Sequence, residues 1–427
     1  MNDRVHILPE PTLEFRYGQR VAHPRDGLSI FGPFDADLPS HPAGLSYAVI
    51  GTKTGLMEFD LFATRMEAAI VDEGMEQRLW PVFPGFEAAF AARWPARATV
   101  RHELDEGQLQ CAVVDKDANQ RTGQIVDAYL DGVKRIIKHD EVIGTIICVV
   151  PDIVYLNCRP NSRLSSGTGF SVNSKERRMR ANVGDLFSSY NSRHYHFSTD
   201  FRRQIKARAM EHGVAIQIVR QSTLRLQDTG TMGERGLTPL SDRAWNLGAA
   251  LYYKSGGKPW RLASARDGVC YIGMVYRLTG QRENSRTACC AAQMFLDDGD
   301  GMVFMGEYGP WYSPETKEFH LSKKAATELL GRALQSYSEL GGKPLREVFL
   351  HCRSMIDDEE FAGFRTACPS SISLVGVRVR KELPGGLRVF REGTRPVLRG
   401  TCWQVSNRSS YLWASGFSPR LGTYDGW

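Results

Sequence analysis

The sequence predicts an α/β protein of two domains, and three observations support this class. Continuous apolar runs at 46–51 and 142–150 are typical of strands buried on both faces of a parallel sheet, and helical patterns lie between them. After residue 269, three strand-like runs follow one another before helices and strands alternate again. A length of 427 residues suits two or three domains. We expect an extended N-terminal segment over 1–44, a first domain over 45–225 and a second over 226–427.

The individual elements follow from apolar periodicity, since steps of two indicate strands and steps of three or four indicate helices. In the first domain we expect strands at 46–51, 142–150 and 214–219 and helices at 56–72, 123–139 and 201–212, and we expect a helix at 239–253 near the start of the second domain. In the second domain we expect strands at 269–278, 288–296, 302–308, 347–351 and 372–379 and helices at 322–340 and 357–367. An Asp-Gly-rich turn at 297–301 is expected to join two of these strands.

Composition excludes several classes of protein. No apolar run reaches the roughly 20 residues that a membrane helix needs, and the N-terminal residues lack the apolar core of a signal peptide. We therefore expect a cytoplasmic protein without a membrane partner. Nine cysteines are scattered without a CxxC pair, which is typical of buried free thiols in a reducing compartment and does not indicate a zinc site.

Basic residues concentrate in two segments of a chain whose net charge is +6. Residues 159–225 contain 13 Arg or Lys against 4 Asp or Glu, and residues 376–420 contain 9 against 2, so the rest of the chain is net acidic. Such segments favour an anionic partner held at particular surfaces. Solvated helix faces are the alternative explanation.

Four residues could together bind a terminal phosphate, which needs several donors converging near a helix N-terminus. Arg202 and Lys206 lie four apart on one face of the predicted helix, which residues 198–200 can cap. Gln217 lies in the next strand, and Lys254 follows the helix at 239–253. For the helix alone, an ordinary basic amphipathic helix is an equally good explanation.

Residues 252–260 read YYKSGGKPW, in which the two glycines end a helix and the proline prevents its continuation. This segment resembles the KxGGxPW turn that opens the PIWI domain of Argonaute proteins. Residues 200–224 resemble the MID domain of short prokaryotic Argonautes. The resemblance implies that the 5′-phosphate of a guide strand is bound by Arg202, Lys206, Gln217 and Lys254. It also allows a Mg²⁺ ion at that phosphate.

The resemblance covers essentially the whole chain and implies its fold. We expect a MID domain with a Rossmann-like parallel sheet, followed by an RNase H-like PIWI domain, without PAZ and N domains. Relatives continue for several dozen residues beyond the TYDG segment, so we expect the PIWI domain to be C-terminally truncated. Tyr195 and His196 could stack on the first guide base, and solvent-facing loop aromatics are the alternative.

The nuclease carboxylates of the family do not occur at the expected positions. RNase H-like nucleases bind two divalent cations through carboxylates at strand ends. Cleaving Argonautes have an IGxD pattern after the PW turn, where this chain has Val275, and the later strand ends in His351, Cys352 and Arg353. The acids at 297–300 suit a hairpin turn and those at 357–360 a helix N-terminus. We therefore predict no catalytic residues and no metal site.

The resemblance implies a guide-binding module that recognises a target without cutting it. Short Argonautes of this kind are paired with an APAZ-containing effector, commonly a sirtuin-like or TIR NADase and less often a nuclease. We expect an RNA guide, a single-stranded DNA target and a role in defence against viruses and plasmids. Residues 200–224 and 411–425 (YLWASGFSPRLGTYD) are most similar to the sirtuin-associated group. The alternatives are a guided endonuclease with other carboxylates and a guide-independent nucleic-acid-binding protein.

Overall fold

A computed structural model of the chain describes residues 4–73, 77, 79–160, 162, 164, 173–182, 191–227, 237–278, 288–295, 301–339, 343–381, 386–394 and 396–418. These residues form two compact units. The first unit is built mainly from residues 13–260, and the second mainly from residues 261–417 together with the residues up to 12. The contacts thus divide the chain after Trp260, whereas the sequence suggested a boundary near residue 225.

The strands are β1 (Val5–Ile7), β2 (Leu13–Glu14), β3 (Arg20–Val21), β4 (Tyr47–Gly51), β5 (Val100–Glu103), β6 (Thr145–Val150), β7 (Ala215–Arg220), β8 (Arg261–Leu262), β9 (Val269–Leu278), β10 (Ala288–Phe295), β11 (Gly301–Gly309), β12 (Tyr312–Ser313), β13 (Glu318–Phe319), β14 (Glu347–Cys352), β15 (Ser373–Arg378), β16 (Thr401–Ser406) and β17 (Ser409–Leu412). The α-helices are α1 (Pro24–Phe31), α2 (Lys53–Arg65), α3 (Phe86–Phe90), α4 (Glu106–Val113), α5 (Ala118–Ile136), α6 (Asp152–Asn157), α7 (Ser174–Asn182), α8 (Phe201–Met210), α9 (Leu240–Lys254), α10 (Lys323–Glu339) and α11 (Asp358–Ala367). None of the described helices has both the length and the apolarity needed to span a membrane.

The first unit contains a parallel four-stranded sheet in the order β5-β4-β6-β7. Its central strands β4 and β6 are buried on both faces, so their successive side chains belong to different cores. In β4, Tyr47 and Val49 join a core with α2, α3 and α9, while Ala48 and Ile50 join a core with α4, α5 and α8. Helices on both faces of a parallel sheet make this unit Rossmann-like, as the sequence predicted.

The second unit contains a five-stranded sheet in the order β11-β10-β9-β14-β15. The strands β9, β10 and β11 form an antiparallel meander, and β14 and β15 continue the sheet in parallel with β9. Helices α10 and α11 pack with the sheet in a third core. This order and these directions are those of the expected RNase H-like fold.

Several details differ from the sequence-based expectations. Helix α1 lies within the segment expected to be extended, and α2 ends at Arg65 instead of continuing to residue 72. The edge strand β5 was not predicted because its four residues Val-Arg-His-Glu carry little apolar signal. None of the eight cysteines whose side chains are described forms a disulfide, and six of them are buried. The turn acids Asp297, Asp298 and Asp300 lie outside the described residues.

Candidate phosphate-binding pocket

A cavity of about 610 Å³ lies at the carboxyl ends of β6 and β7 in the first unit. This is the edge of a parallel sheet at which α/β proteins bind ligands. Part of its lining is apolar, from Phe62, Val150, Val154 and Leu247. Its basic and amide side chains include Arg202, Lys206, Gln217 and Arg220. Three of the four predicted phosphate ligands therefore line one cavity.

Two basic side chains of α8, Arg202 and Lys206, line this cavity and have no acidic partner on that helix. Asp200 caps the helix by accepting a hydrogen bond from the backbone of Arg203, and it also forms an ion pair with the Arg203 side chain at 3.4 Å. Arg208 forms an ion pair with Asp127 at 2.7 Å. Within the described part of the chain, no acidic partner is found for Arg202 or Lys206. Among the basic residues that line the cavity, Arg202 and Lys206 are thus available to an external anion.

Lys254 is the fourth predicted ligand, and it contacts the cavity through Gln217. Its Nζ donates a hydrogen bond of 2.6 Å to Gln217 Oε1 and one of 2.5 Å to the carbonyl of Ile216. The Gln217 Nε2 donates in turn to the carbonyl of Ile218 at 3.1 Å. The end of α9 is therefore tied to β7, although Lys254 is not itself among the lining residues.

The glycine turn after α9 fixes the position of Lys254. Gly256 has φ +91°, a conformation that favours glycine, and a Cβ on Gly257 would lie 2.4 Å from the ring of Tyr252. The fully buried Asp35 accepts hydrogen bonds from the Tyr252 hydroxyl at 2.5 Å and from the backbone N–H of Lys258 at 2.8 Å. One buried carboxylate thus holds both sides of the turn.

The charges of the pocket act on one another. The pKa of Lys254 is lowered to about 8, mainly by burial and also by the nearby charges of Lys206 and Arg202. Burial and Arg202 likewise lower the pKa of Lys206. Three cations held close together without a compensating carboxylate destabilise their own charged forms. An anion bound among them would relieve this repulsion.

The proposed stacking residues are placed differently from what the sequence suggested. Tyr195 is buried at 4% exposure, and its hydroxyl donates to Asp117 at 2.5 Å and accepts from Arg180 at 3.2 Å. The Tyr195 side chain therefore connects the segment before α8 to the start of α5. It does not line the cavity and is not available to a base. His196 is exposed but does not line the cavity either.

The sequence missed a different aromatic group, Tyr155 of α6, which lines the cavity and is 36% exposed. The guanidinium of Arg220 lies 4.0 Å from the centre of its ring and that of Arg159 lies 4.7 Å away. Arg220 is oriented by an ion pair with Asp152. Although burial opposes it, hydrogen bonds from Ser222 and Arg220 lower the pKa of Asp152. The position of Tyr155 just after β6, at the carboxyl edge of the sheet, was the available signal.

The lining residues suit an anion and do not suit a magnesium ion. Mg²⁺ requires oxygen ligands, mostly carboxylates and water, whereas Arg202, Lys206 and Lys254 are cationic donors. Asp200, the acidic group among the lining residues of the described chain, is already bonded to Arg203. We therefore assign no step to a metal ion in this pocket.

At the predicted nuclease position of the second unit, the described side chains are apolar or basic. Val275 lies on β9 and is 62% exposed. On the neighbouring strand β14, His351 pairs with Gly273 of β9. A cavity of about 480 Å³ at these strand ends is lined by Met274, His351, Cys352, Arg353, Val379 and Lys381. None of these six residues can supply a carboxylate to a divalent cation. Glu307 is an acidic residue of β11 in the same sheet, and its side chain lies outside the described residues.

Comparison with known proteins supports the fold assignment. No protein-family model and no curated protein sequence matches the chain. Among solved structures, an Argonaute of Aquifex aeolicus with externally bound siRNA matches 99% of this chain, with a TM-score of 0.53 and 11% identity. A second structure of A. aeolicus Argonaute matches 97% of the chain, with a TM-score of 0.50 and 12% identity.

The chain therefore has an Argonaute-like fold, composed of a MID-like unit and a PIWI-like unit. It spans 46% and 45% of the lengths of the two Argonautes that it matches. At such low identity the likeness establishes the fold alone. The activity and partners of this chain have to be argued from its own residues.

Proposed function

We propose that this protein is a guide-strand-binding module that anchors the 5′-phosphate of a guide through Arg202, Lys206, Gln217 and Lys254. The observation that carries the proposal is the pair of uncompensated cations on α8 beside Gln217, which Lys254 contacts from α9. The first turn of α8 adds the positive end of a helix dipole. A terminal phosphate, with up to two negative charges, matches this set of donors.

We further propose that the first guide base lies against Tyr155 and Arg220. A cavity of about 610 Å³ has room for more than a phosphate group. An exposed aromatic ring with an arginine on its face suits stacking with a nucleobase. This assignment replaces Tyr195, whose ring is buried.

We propose that the protein binds its target without cutting it, because the residues described at the nuclease position offer no carboxylate. Loaded with a 5′-phosphorylated RNA guide, it is expected to retain a complementary single-stranded DNA and leave it intact in Mg²⁺ or Mn²⁺. Filter binding measures retention, and denaturing gels measure cleavage, with an active RNase H-type nuclease as the positive control. Specific cleavage would favour a guided endonuclease. Equal competition by 5′-hydroxyl and 5′-phosphate guides would favour guide-independent binding.

We propose an APAZ-containing effector, such as a sirtuin-like or TIR NADase, as the partner that responds to target binding. The similarity of residues 200–224 and 411–425 to short prokaryotic Argonautes supports this proposal. Isolation of the tagged protein from its host should co-purify the effector together with guide strands. Identifying that protein and the 5′ ends of the strands would test the partner and the guide chemistry at once.

The affinity for the guide phosphate is expected to fall at alkaline pH. The pKa of Lys254 is lowered to about 8 in the free protein, and a bound phosphate favours the protonated amine. The preference for a 5′-phosphate should therefore be complete near pH 7 and decline as the pH rises above about 8. Fluorescence polarisation of matched oligonucleotides between about pH 7 and 9.5 measures it, because the phosphate remains a dianion there. An unchanged preference across this range would contradict the assignment of Lys254.

A further inference from the structure

Three side chains with metal-ligating atoms meet in the second unit, where the chain enters α10 and α11. His320 Nδ1 lies 3.3 Å from Asp357 Oδ2 and 3.8 Å from Glu360 Oε2. Their ligand atoms all lie within 4.8 Å of one another, and no other such group occurs among the residues that the structure describes. In a tetrahedral site with bonds of about 2.1 Å, ligand atoms are roughly 3.4 Å apart. The two distances from His320 Nδ1 are close to that requirement.

Glu360 is held in a fixed orientation by groups around it. It is 1% exposed, and its Oε1 accepts hydrogen bonds from the Tyr276 hydroxyl at 2.9 Å and from the backbone N–H of Leu321 at 3.3 Å. The Tyr276 ring is itself stacked on Phe319, with the ring centres 5.2 Å apart. The carboxylate therefore turns its Oε2 towards His320. Outer donors that orient a ligand in this way are typical of built metal sites.

His320 supplies a second and independent observation. Its Nδ1 atom is buried and has no hydrogen-bond partner in the structure. The atom nevertheless faces two carboxylates, one of them almost fully buried. An Nδ1 lone pair next to two carboxylate oxygens is unfavourable, whereas a metal ion among the three atoms, or an N–H on Nδ1, makes the arrangement favourable.

We propose that His320, Asp357 and Glu360 bind a divalent transition-metal ion, with Zn²⁺ as the best match. One imidazole and two carboxylates are ligands that zinc accepts, whereas Mg²⁺ favours sites composed of oxygen alone. Three protein ligands leave one coordination position for water. The ion would tie the segment between β13 and α10 to the first turn of α11. The proposal goes beyond guide binding, since it involves no residue of the phosphate pocket.

The test uses the full chain and Zn²⁺ alone, without a guide. Equilibrium dialysis with metal analysis is expected to show one tightly bound zinc per chain. Asp357→Asn should weaken this binding by roughly 100-fold while still capping α11, because asparagine is as good an N-cap as aspartate. His320→Gln should have a similar effect. Asp358→Asn is the matched control, since it removes the charge of the next, exposed residue and should bind zinc like the wild type.

Two outcomes would overturn the proposal. If the wild type binds no zinc, His320 only contacts the two carboxylates as a hydrogen-bonding or ion-pairing group. If Asp357→Asn and His320→Gln bind zinc as tightly as the wild type, the zinc lies elsewhere, for example at a free thiol. Thermal unfolding with and without zinc gives a second measurement, because an ion bound to the folded state raises the Tm of the wild type and of Asp358→Asn. Guide binding is measured separately in metal-free buffer. A protein that fails to bind the guide can therefore still show the zinc site, and the two proposals are tested independently.

Discussion

Lys254→Met is expected to lower the affinity for a 5′-phosphorylated guide by roughly 10- to 100-fold, with little change for a 5′-hydroxyl guide. A hydrogen bond to a charged group contributes about 1.5–3 kcal/mol, and about 1.4 kcal/mol corresponds to a factor of ten. Methionine retains the aliphatic chain that packs at the end of α9. The fold should therefore persist while the amine that reaches Gln217 is lost.

Competition between the two guides, followed by fluorescence polarisation, measures this effect directly. Lys258→Met is the matched control, because it removes a lysine of the same turn while the hydrogen bonds of Lys254 to Gln217 and Ile216 stay in place. The hydrogen bond from the backbone of residue 258 to Asp35 remains in that variant. If Lys254→Met keeps the full preference for the phosphate, Lys254 is not part of the binding site. If both variants weaken both guides equally, the lysines contribute only general attraction to the backbone.

Asp35→Ala is expected to lower the free energy of unfolding of the first unit by about 3–5 kcal/mol. The change removes two hydrogen bonds to a buried carboxylate, one from the Lys258 N–H and one from the Tyr252 hydroxyl, which keeps His41 Nδ1 at 2.9 Å as its other partner. A hydrogen bond to a charged group contributes about 1.5–3 kcal/mol. The volume vacated by the carboxylate adds a smaller term. Because the glycine turn is no longer held, the preference for a 5′-phosphate should fall as well.

Urea denaturation followed by tryptophan fluorescence measures the stability, since Trp94 and Trp245 are buried in the core that α9 helps to form. Asp37→Ala provides the control, because Asp37 lies two residues away and is exposed. A change of less than about 0.5 kcal/mol is expected there. Equal stability of the two variants would mean that Asp35 does not hold the turn. Together with Lys254→Met, the pair separates loss of a ligand from loss of the structure that positions it.

The sequence predicted the elements whose signal is local. The strands β4 and β6 are continuous apolar runs, and α5 and α9 repeat apolar residues at helical steps, so their periodicity alone identified them. Apolar periodicity did not predict the short elements β5 and α1. β5 alternates between half-buried and exposed residues at the edge of its sheet, and α1 lies in a segment whose prolines and glycines suggested an extended chain.

The site was predictable where a motif places its residues on one face, and not where burial depends on distant partners. Arg202 and Lys206 line one cavity because they are four apart on a helix. Tyr195 could not be recognised as buried, because Asp117 lies far away in sequence and supplies the acceptor for its hydroxyl. His320 likewise meets Glu360 only through the packing of α11, so no local spacing indicated the cluster.

The hydrogen bonds of Asp35 also determine which fragments of this chain can be studied in isolation. A fragment beginning at residue 45 would lack Asp35 and the buried side chains of Phe15 and Leu28, which belong to the same core as α9. A fragment ending at residue 225 would lack α9 and Lys254. Expression of the first unit alone should therefore start near Leu13 and extend through Trp260, so that the purified fragment keeps the N-terminal residues that complete its core.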